Sequence, residues 1–288
     1  MFNLLPPVTL PDPRGSYLLI TGATGGLGKA FAAECASRGW NLFLTDLRAE
    51  ALASLAEGLR HAYGVTVLCH AGDLTDAAAR AALFERLSGE RLRFWGLVNV
   101  AGVDFEGPFY EQSRQQIRTI LRLNIEGTLE MTHAILALRD PLNTFHIINV
   151  ASLAAFYPMP VKATYAASKR FLLDFSLALR EELREQDASV TVLCPAGMPT
   201  NPECVAAIDA QGLLGQLTTC NTGAVAAQTL DAALAGRAVC IPGGLIRLIR
   251  FAGGLLPTSL LVSLIGQRWK AARRKRFGQF TEALAPNP

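Results

Sequence analysis

The stretch Tyr17-Leu18-Leu19-Ile20-Thr21-Gly22-Ala23-Thr24-Gly25-Gly26-Leu27-Gly28 passes from a short apolar run into a glycine-rich turn, and an amphipathic segment follows over 29–38. The order reads strand, turn, helix. Glycines at 22, 26 and 28 let the chain turn tightly and bring backbone N–H groups and a helix N-terminus close to a pyrophosphate, whose charge they stabilise. A second apolar run over 41–45 ends in Asp46, about twenty residues after the turn, where a ribose-binding carboxylate belongs. Its alternative role is a strand-end turn residue or a helix cap. A carboxylate there accepts from the ribose hydroxyls of NAD(H) and repels the extra phosphate of NADP(H), so NAD(H) is favoured. Arg48, two residues on, suits a 2′-phosphate and keeps NADP(H) as the second choice. A third strand is expected over 65–70. After it, Asp73, beside Leu74, either accepts from the adenine amino group or caps a helix starting near Thr75-Asp76.

In Tyr165-Ala166-Ala167-Ser168-Lys169 a phenol and an ammonium stand four residues apart. If 163–186 is a helix, both lie on one face, one turn apart. The unperturbed phenol pKa is about 10, and a neighbouring cation favours the phenolate and brings it toward working range.

Four pieces stand in order along the chain: the turn from Thr21 to Gly28, Asn99-Val100-Ala101-Gly102, Ser152 after an apolar strand over 145–150, and the Tyr165/Lys169 pair. The chain resembles the short-chain dehydrogenase/reductase family over about residues 17–242. The resemblance implies an α/β fold, a Rossmann-type doubly wound parallel sheet with helices on both faces. It implies a catalytic tetrad of Tyr165, Lys169, Ser152 and Asn124. Tyr165 would be the acid/base, Lys169 would hold the nicotinamide ribose and lower the tyrosine pKa, Ser152 would donate to the substrate oxygen, and Asn124 would hold a water that returns the proton. Cofactor contacts are expected from Thr21, Gly22, Thr24, Gly25, Gly26, Leu27, Gly28, Asp46, Asp73, Leu74, Asn99, Ala101, Gly102, Tyr165, Lys169, Pro195 and Thr200. The sequence departs from the family pattern in three places. Ala151 precedes the serine, Ala196 follows Pro195, and the interval from Asn124 to Ser152 is longer, with the extra length expected at 139–143.

The expected reaction is hydride transfer between a nicotinamide and a secondary alcohol or ketone, on a hydrophobic 3-oxoacyl or hydroxysteroid type of substrate. The alternative is a non-catalytic dinucleotide-binding protein that senses redox state or attaches to a membrane, which would leave the tetrad idle. Between Met198 and Cys220 only Glu203 and Asp209 are charged, a composition suited either to an apolar lid or to a helix pair packed on the core.

The 288 residues accommodate one large domain, expected over 16–244. Residues 1–15, with four prolines, are expected to form an extended arm, and they lack the basic start and apolar centre of a signal peptide. Six scattered cysteines with no CxxC pair read as reduced thiols of a cytoplasmic protein, and four histidines without ligand spacing give no expectation of a metal site. Residues 245–288 form an apolar and basic extension. Sixteen uncharged residues over 251–266 precede a basic cluster, and from Arg247 through Arg276 there are eight basic residues and no acidic one, so the +3 of the whole chain leaves −5 for the remainder. That run is shorter than the roughly 20 residues of a spanning helix. Two roles are weighed: a helix pair at a membrane surface, or a helix packed on the domain or a second subunit. Nucleic acid is not expected, because only Trp269 and Phe277 accompany the basic cluster. The resemblance implies a homodimer or homotetramer paired through the helices over 112–137 and 163–186. On the latter, Phe171, Phe175 and Leu179 recur at helical spacing and either line an interface or face the core, the core being the default.

Overall fold

The apolar run at 17–20 forms β1 (Tyr17–Thr21), and the helix after the glycine turn is α1 (Gly26–Ser37). The computed structural model describes residues 15–200, 204–206, 209 and 219–283, with side chains described as far as 271. The expected arm, and most of the expected lid, lie outside the described residues.

The alternation continues through β2 (Leu42–Asp46), α2 (Ala49–Tyr63), β3 (Val67–Ala71), α3 (Ala77–Gly89) and β4 (Phe94–Asn99). Then come α4 (Arg114–Ile120), a π-helical turn (Leu121–Gly127), α5 (Thr128–Ala137), β5 (Phe145–Val150) and α6 (Ala163–Glu182). The described chain ends with β6 (Ala188–Leu193), α7 (Thr222–Leu234), β7 (Val239–Cys240), α8 (Gly244–Gly254) and α9 (Thr258–Ala283).

All seven strands are parallel, in the order β3-β2-β1-β4-β5-β6-β7. Strands of such a sheet are covered on both faces, which is why β2, β4 and β5 are apolar runs buried at every position. Alternate residues serve opposite layers. Leu18, Ile20, Leu42 and Leu44 pack with Phe31 and Leu52 of α1 and α2 and Leu230 of α7. Leu19, Phe43 and Leu97 pack with Leu83 of α3 and Met131 and Ile135 of α5. The molecule is a doubly wound Rossmann-type sheet with a helical C-terminal region.

Because β1 pairs with β2 on one side and β4 on the other, the chain leaves the sheet centre in opposite directions and a crevice opens at the strands' C-terminal ends. The added length at 139–143 sits at the other end of the sheet, where Asp140 N–H donates to Phe94 O at 2.7 Å. Two expectations about helices change. α6 stops at Glu182, ahead of a turn that ends at Asp187 with φ +48°. Phe171 and Phe175 do not enter the core: Phe171 is exposed and stacks on Phe175, ring centroids 6.1 Å apart. Leu172 and Leu173 take the buried face instead. No helix among the described residues is long and apolar enough to cross a membrane.

Candidate active site

A cavity of about 1570 Å³ occupies the crevice. Its nucleotide end is built from glycines that have no room for a side chain. A Cβ on Gly28 would lie 2.1 Å from Gly22 O, one on Gly26 would lie 2.9 Å from Thr200 Cα, and Gly22, at φ +63°, abuts the Ala101 backbone. Gly25, the N-cap of α1, offers no side chain to the first N–H groups of the helix. Those donors are left for an anion. The turn with Thr24, Leu27 and Gly28 lines the cavity.

Asp46 sits at the edge of this end. Its Oδ2 accepts from Thr24 N–H at 2.9 Å and its Oδ1 from Arg48 N–H at 3.1 Å. Burial raises the carboxyl's pKa, but the hydrogen bonds from Thr24 and Arg48 outweigh it and hold the group below the usual range. The carboxylate is ionised at neutral pH. The Arg48 guanidinium leans on it at 3.4 Å and is otherwise exposed. Asp73 and Leu74 line the cavity as well. The helix-cap role falls to Asp76, whose side chain accepts from Ala78 N–H, while Asp73 closes a tight turn onto Thr75 N–H at 2.8 Å.

Two residues expected to contact the cofactor have their side chains bonded within the protein. Thr21 Oγ1 accepts from Val100 and Ala101 N–H, tying β1 to the loop after β4. Asn99 donates to Thr132 and to Asn149, which in turn donates to Ser176. Both side chains are buried outside the cavity lining, and Val100, Ala101 and Gly102 form the wall in their place. The sheet register explains it, since Thr21 pairs with Asn99 and Asn99 with Asn149 inside the layer.

At the other end Ser152, Tyr165 and Lys169 converge. Ser152 Oγ accepts from Ala154 N–H at 3.1 Å, leaving its proton to donate. Lys169 Nζ donates to Val150 O at 2.8 Å and lies 5.7 Å from the Tyr165 ring centroid. Burial lowers the Lys169 pKa to about 8, against the opposing fields of Asp104 and Cys194. The phenol differs from expectation. Burial, then the Asp104 charge, push the Tyr165 pKa above its ordinary value, and hydrogen bonding to Ser152 does not cancel them. Desolvation of the buried phenolate is the larger effect, and the nearby Asp104 charge adds to it. Pro195 and Thr200 complete the wall, and Thr200 Oγ1 donates to Cys204 Sγ at 3.4 Å.

Asn124 lies in the π-helical turn, whose extra residue per turn sets its side chain inward, fully buried. Its Oδ1 accepts from Val103 N–H at 2.9 Å, and Nδ2 donates to Val103 O and Ser168 Oγ. Both amide protons are used. The side chain ties the loop after β4 to α6.

Residues that the sequence did not single out complete the site. Lys162 pairs with Asp104 and stands 3.8 Å from Glu106 and 5.7 Å from the Tyr165 centroid. Lys162 precedes Tyr165 by one helical turn, a spacing visible in the sequence. The C-terminal helices form the remaining wall through Ile249, Gly253, Leu261, Ile265, Arg268 and Trp269. Tyr157 donates to Arg250 O at 2.8 Å, and a Cβ on Gly253 would strike that phenol at 2.5 Å. No cluster of metal-ligating residues exists among the described residues, and no disulfide joins the six cysteines.

The nucleotide end fits a dinucleotide: a glycine cradle, open helix N–H groups and an ionised carboxylate one strand away. The short chain dehydrogenase family model matches residues 16–206. Among curated relatives, a very-long-chain 3-oxoacyl-CoA reductase from Laccaria bicolor is 33% identical over 62% of this chain and 53% of its own length. The human 17-beta-hydroxysteroid dehydrogenase type 3 is 31% identical over 67% of this chain and 63% of its own. The matched segment therefore spans about half to two thirds of these relatives. A short-chain dehydrogenase from Sphingobium yanoikuyae in complex with NADPH superposes with a TM-score of 0.73 at 29% identity, covering 83% of this chain and 93% of that one. With the sheet order, the glycine cradle and the family match in agreement, the chain belongs to the short-chain dehydrogenase family.

Proposed function

We propose that the chain is an NAD(P)(H)-dependent oxidoreductase interconverting a secondary alcohol and a ketone on a hydrophobic substrate of the 3-oxoacyl or hydroxysteroid type. The observation that carries this reading is the convergence of Ser152, Tyr165 and Lys169 in the same cavity as the glycine cradle. The nicotinamide, when bound, supplies or takes up the hydride. Tyr165 donates the proton to the carbonyl oxygen in reduction and removes it in oxidation. Its raised pKa keeps the phenol protonated at neutral pH, the form that reduction needs. Ser152 donates to the same oxygen as charge develops there. Lys169 holds the nicotinamide ribose and returns the proton, with a pKa close enough to neutrality to exchange it. Asn124 positions the loop after β4 against α6.

Asp46 supports a preference for NAD(H), being ionised and tied to the turn. NADP(H) remains the second choice through Arg48 and through the NADPH-bound relative. The C-terminal wall of aliphatic side chains and Trp269 supports a bulky apolar substrate. The exposed Phe171, stacked on the half-buried Phe175 of α6, supports pairing into a homodimer or homotetramer through that helix. In the domain division we favour, 16–244 is the dehydrogenase domain and 245–288 an extension that walls its site.

The test is absorbance of the reduced nicotinamide against 3-oxoacyl thioesters and ketosteroids, with Tyr165→Phe as the blank. Turnover should fall by more than about a hundredfold, the scale of one general acid, with nucleotide affinity nearly unchanged. Retained turnover in that variant rejects the assignment of Tyr165.

A further inference from the structure

The helix pair that closes the cavity is apolar on two opposite sides. Ile246 is buried, and Ile249, Leu261 and Ile265 line the cavity. Turned the other way, Leu245, Leu248, Phe251, Leu255, Leu260 and Leu264 are exposed, from 43% for Leu245 to 73% for Leu255. Positions 245 and 248 share one face of α8, Leu255 follows at its C-terminal end, and 260 and 264 share one face of α9. A soluble surface gains nothing from seven large apolar side chains, these six and Leu256, exposed within twenty residues.

Charge selects what covers this face. From Arg247 through Arg276 all eight charged residues are basic; Arg247 and Lys270 are exposed, while the Arg250 guanidinium lies over the Phe156 ring at 4.3 Å. A symmetric contact with a second copy would bring the same cationic helices together, and their repulsion opposes it. An anionic lipid surface satisfies both features at once, taking the apolar side chains into the acyl boundary and the basic ones against phosphates. α8, at eleven residues, is too short to span.

We propose that the outer face of α8 and α9 lies in the interface of an anionic phospholipid bilayer. One helix diameter, about 10 Å, then separates the membrane from the substrate cavity, and a hydrophobic substrate enters from the lipid and not from water. This second half rests on the reaction proposed above. The first half stands on the exposed face and its charge.

The experiment is co-sedimentation of the full chain with vesicles of phosphatidylcholine mixed with phosphatidylglycerol, beside vesicles of phosphatidylcholine alone. The protein should bind the anionic vesicles, and added salt should weaken binding. The triple variant Leu248→Asp, Leu255→Asp, Leu264→Asp should lose more than about tenfold in partition coefficient. Its mass in solution and its turnover of a short, water-soluble ketone should not change, while kcat/KM for a long-chain ketone carried in the vesicles should fall with binding. Absence of wild-type binding to anionic vesicles overturns the proposal. So does a smaller assembly in the triple variant, which would make the face a subunit interface. Vesicle binding without turnover of any ketone supports the lipid contact and counts against the proposed reaction alone.

Discussion

Lys162 and Trp269 meet at the mouth of the cavity, with Nζ 4.7 Å from the indole ring centroid. The same ammonium is paired with Asp104 and stands near Tyr165. One cation thus joins the loop after β4, the start of α6 and the C-terminal helix. A partly desolvated cation–π contact contributes about 0.5 to 2 kcal/mol. The wall formed by α9 therefore has a specific attachment beside the proton donor.

Trp269→Ala removes that attachment and a large part of the substrate wall. KM for a bulky ketone should rise by about three- to thirtyfold, with kcat for a small ketone changed less than about twofold. Steady-state kinetics on one bulky and one small substrate make the comparison. An equal loss on both would show that Trp269 acts on the chemistry and not on the wall.

The two ionisable members of the tetrad give opposite pH signatures. Tyr165 is pushed up by burial and Asp104, so the phenol is present throughout the neutral range and the phenolate appears only as pH rises past its raised pKa. Alcohol oxidation should still be climbing at about pH 9, whereas ketone reduction should be flat from about pH 6 to 8. Lys169 is pushed down to about 8, so its charge is complete below that pH and lost above it. Nucleotide affinity should accordingly weaken between about pH 7 and 9. Titrations of binding across this window check it, and a flat profile would remove Lys169 from the ribose.

Asp46→Ala deletes the carboxylate and frees Arg48. The ratio of kcat/KM for NADH over NADPH should fall by about tenfold or more, because a charge-assisted hydrogen bond is lost for one cofactor and a repulsion for the other. Arg48→Ala should move the ratio the opposite way. A double-mutant cycle separates the two side chains.

Glycines at two places in the fold should respond oppositely to alanine. At Gly28 the added carbon would sit 2.1 Å from Gly22 O, so Gly28→Ala must move the turn and should cost about 1 to 3 kcal/mol together with nucleotide binding. Gly58 lies within α2 with nothing within 4 Å of its added carbon. There Gly58→Ala should stabilise by about 0.5 to 1 kcal/mol through backbone entropy. Thermal melts of the two variants decide it.

Much of the frame was legible because it depends on local pattern. β5 occupies the apolar run at 145–150, β2 ends on Asp46, and Tyr165 and Lys169 lie one turn apart on α6. Periodicity and turn chemistry act over a few residues, so they can be read one segment at a time. Other features were not legible, because contacts beyond the segment decide them. Asn124 lies in a helical stretch, but the π-helical turn commits its amide to Val103 and Ser168. Asn99 belongs to the expected motif, yet its side chain joins Thr132 and Asn149 within the layer. Phe171 carries an apolar side chain on a core helix and still faces outward.

The sequence by itself determined the strand, turn and helix order, the glycine cradle and the spacing of the tetrad residues, because each follows from backbone sterics and side-chain period over short range. Only the tertiary structure decided that burial raises the Tyr165 pKa, that Lys162 sits between Asp104 and Trp269, and that the C-terminal helices wall the cavity while exposing a second apolar face. Those outcomes depend on desolvation and on contacts between segments about a hundred residues apart, as between Lys162 and Trp269, and neither is encoded in any single window of the chain.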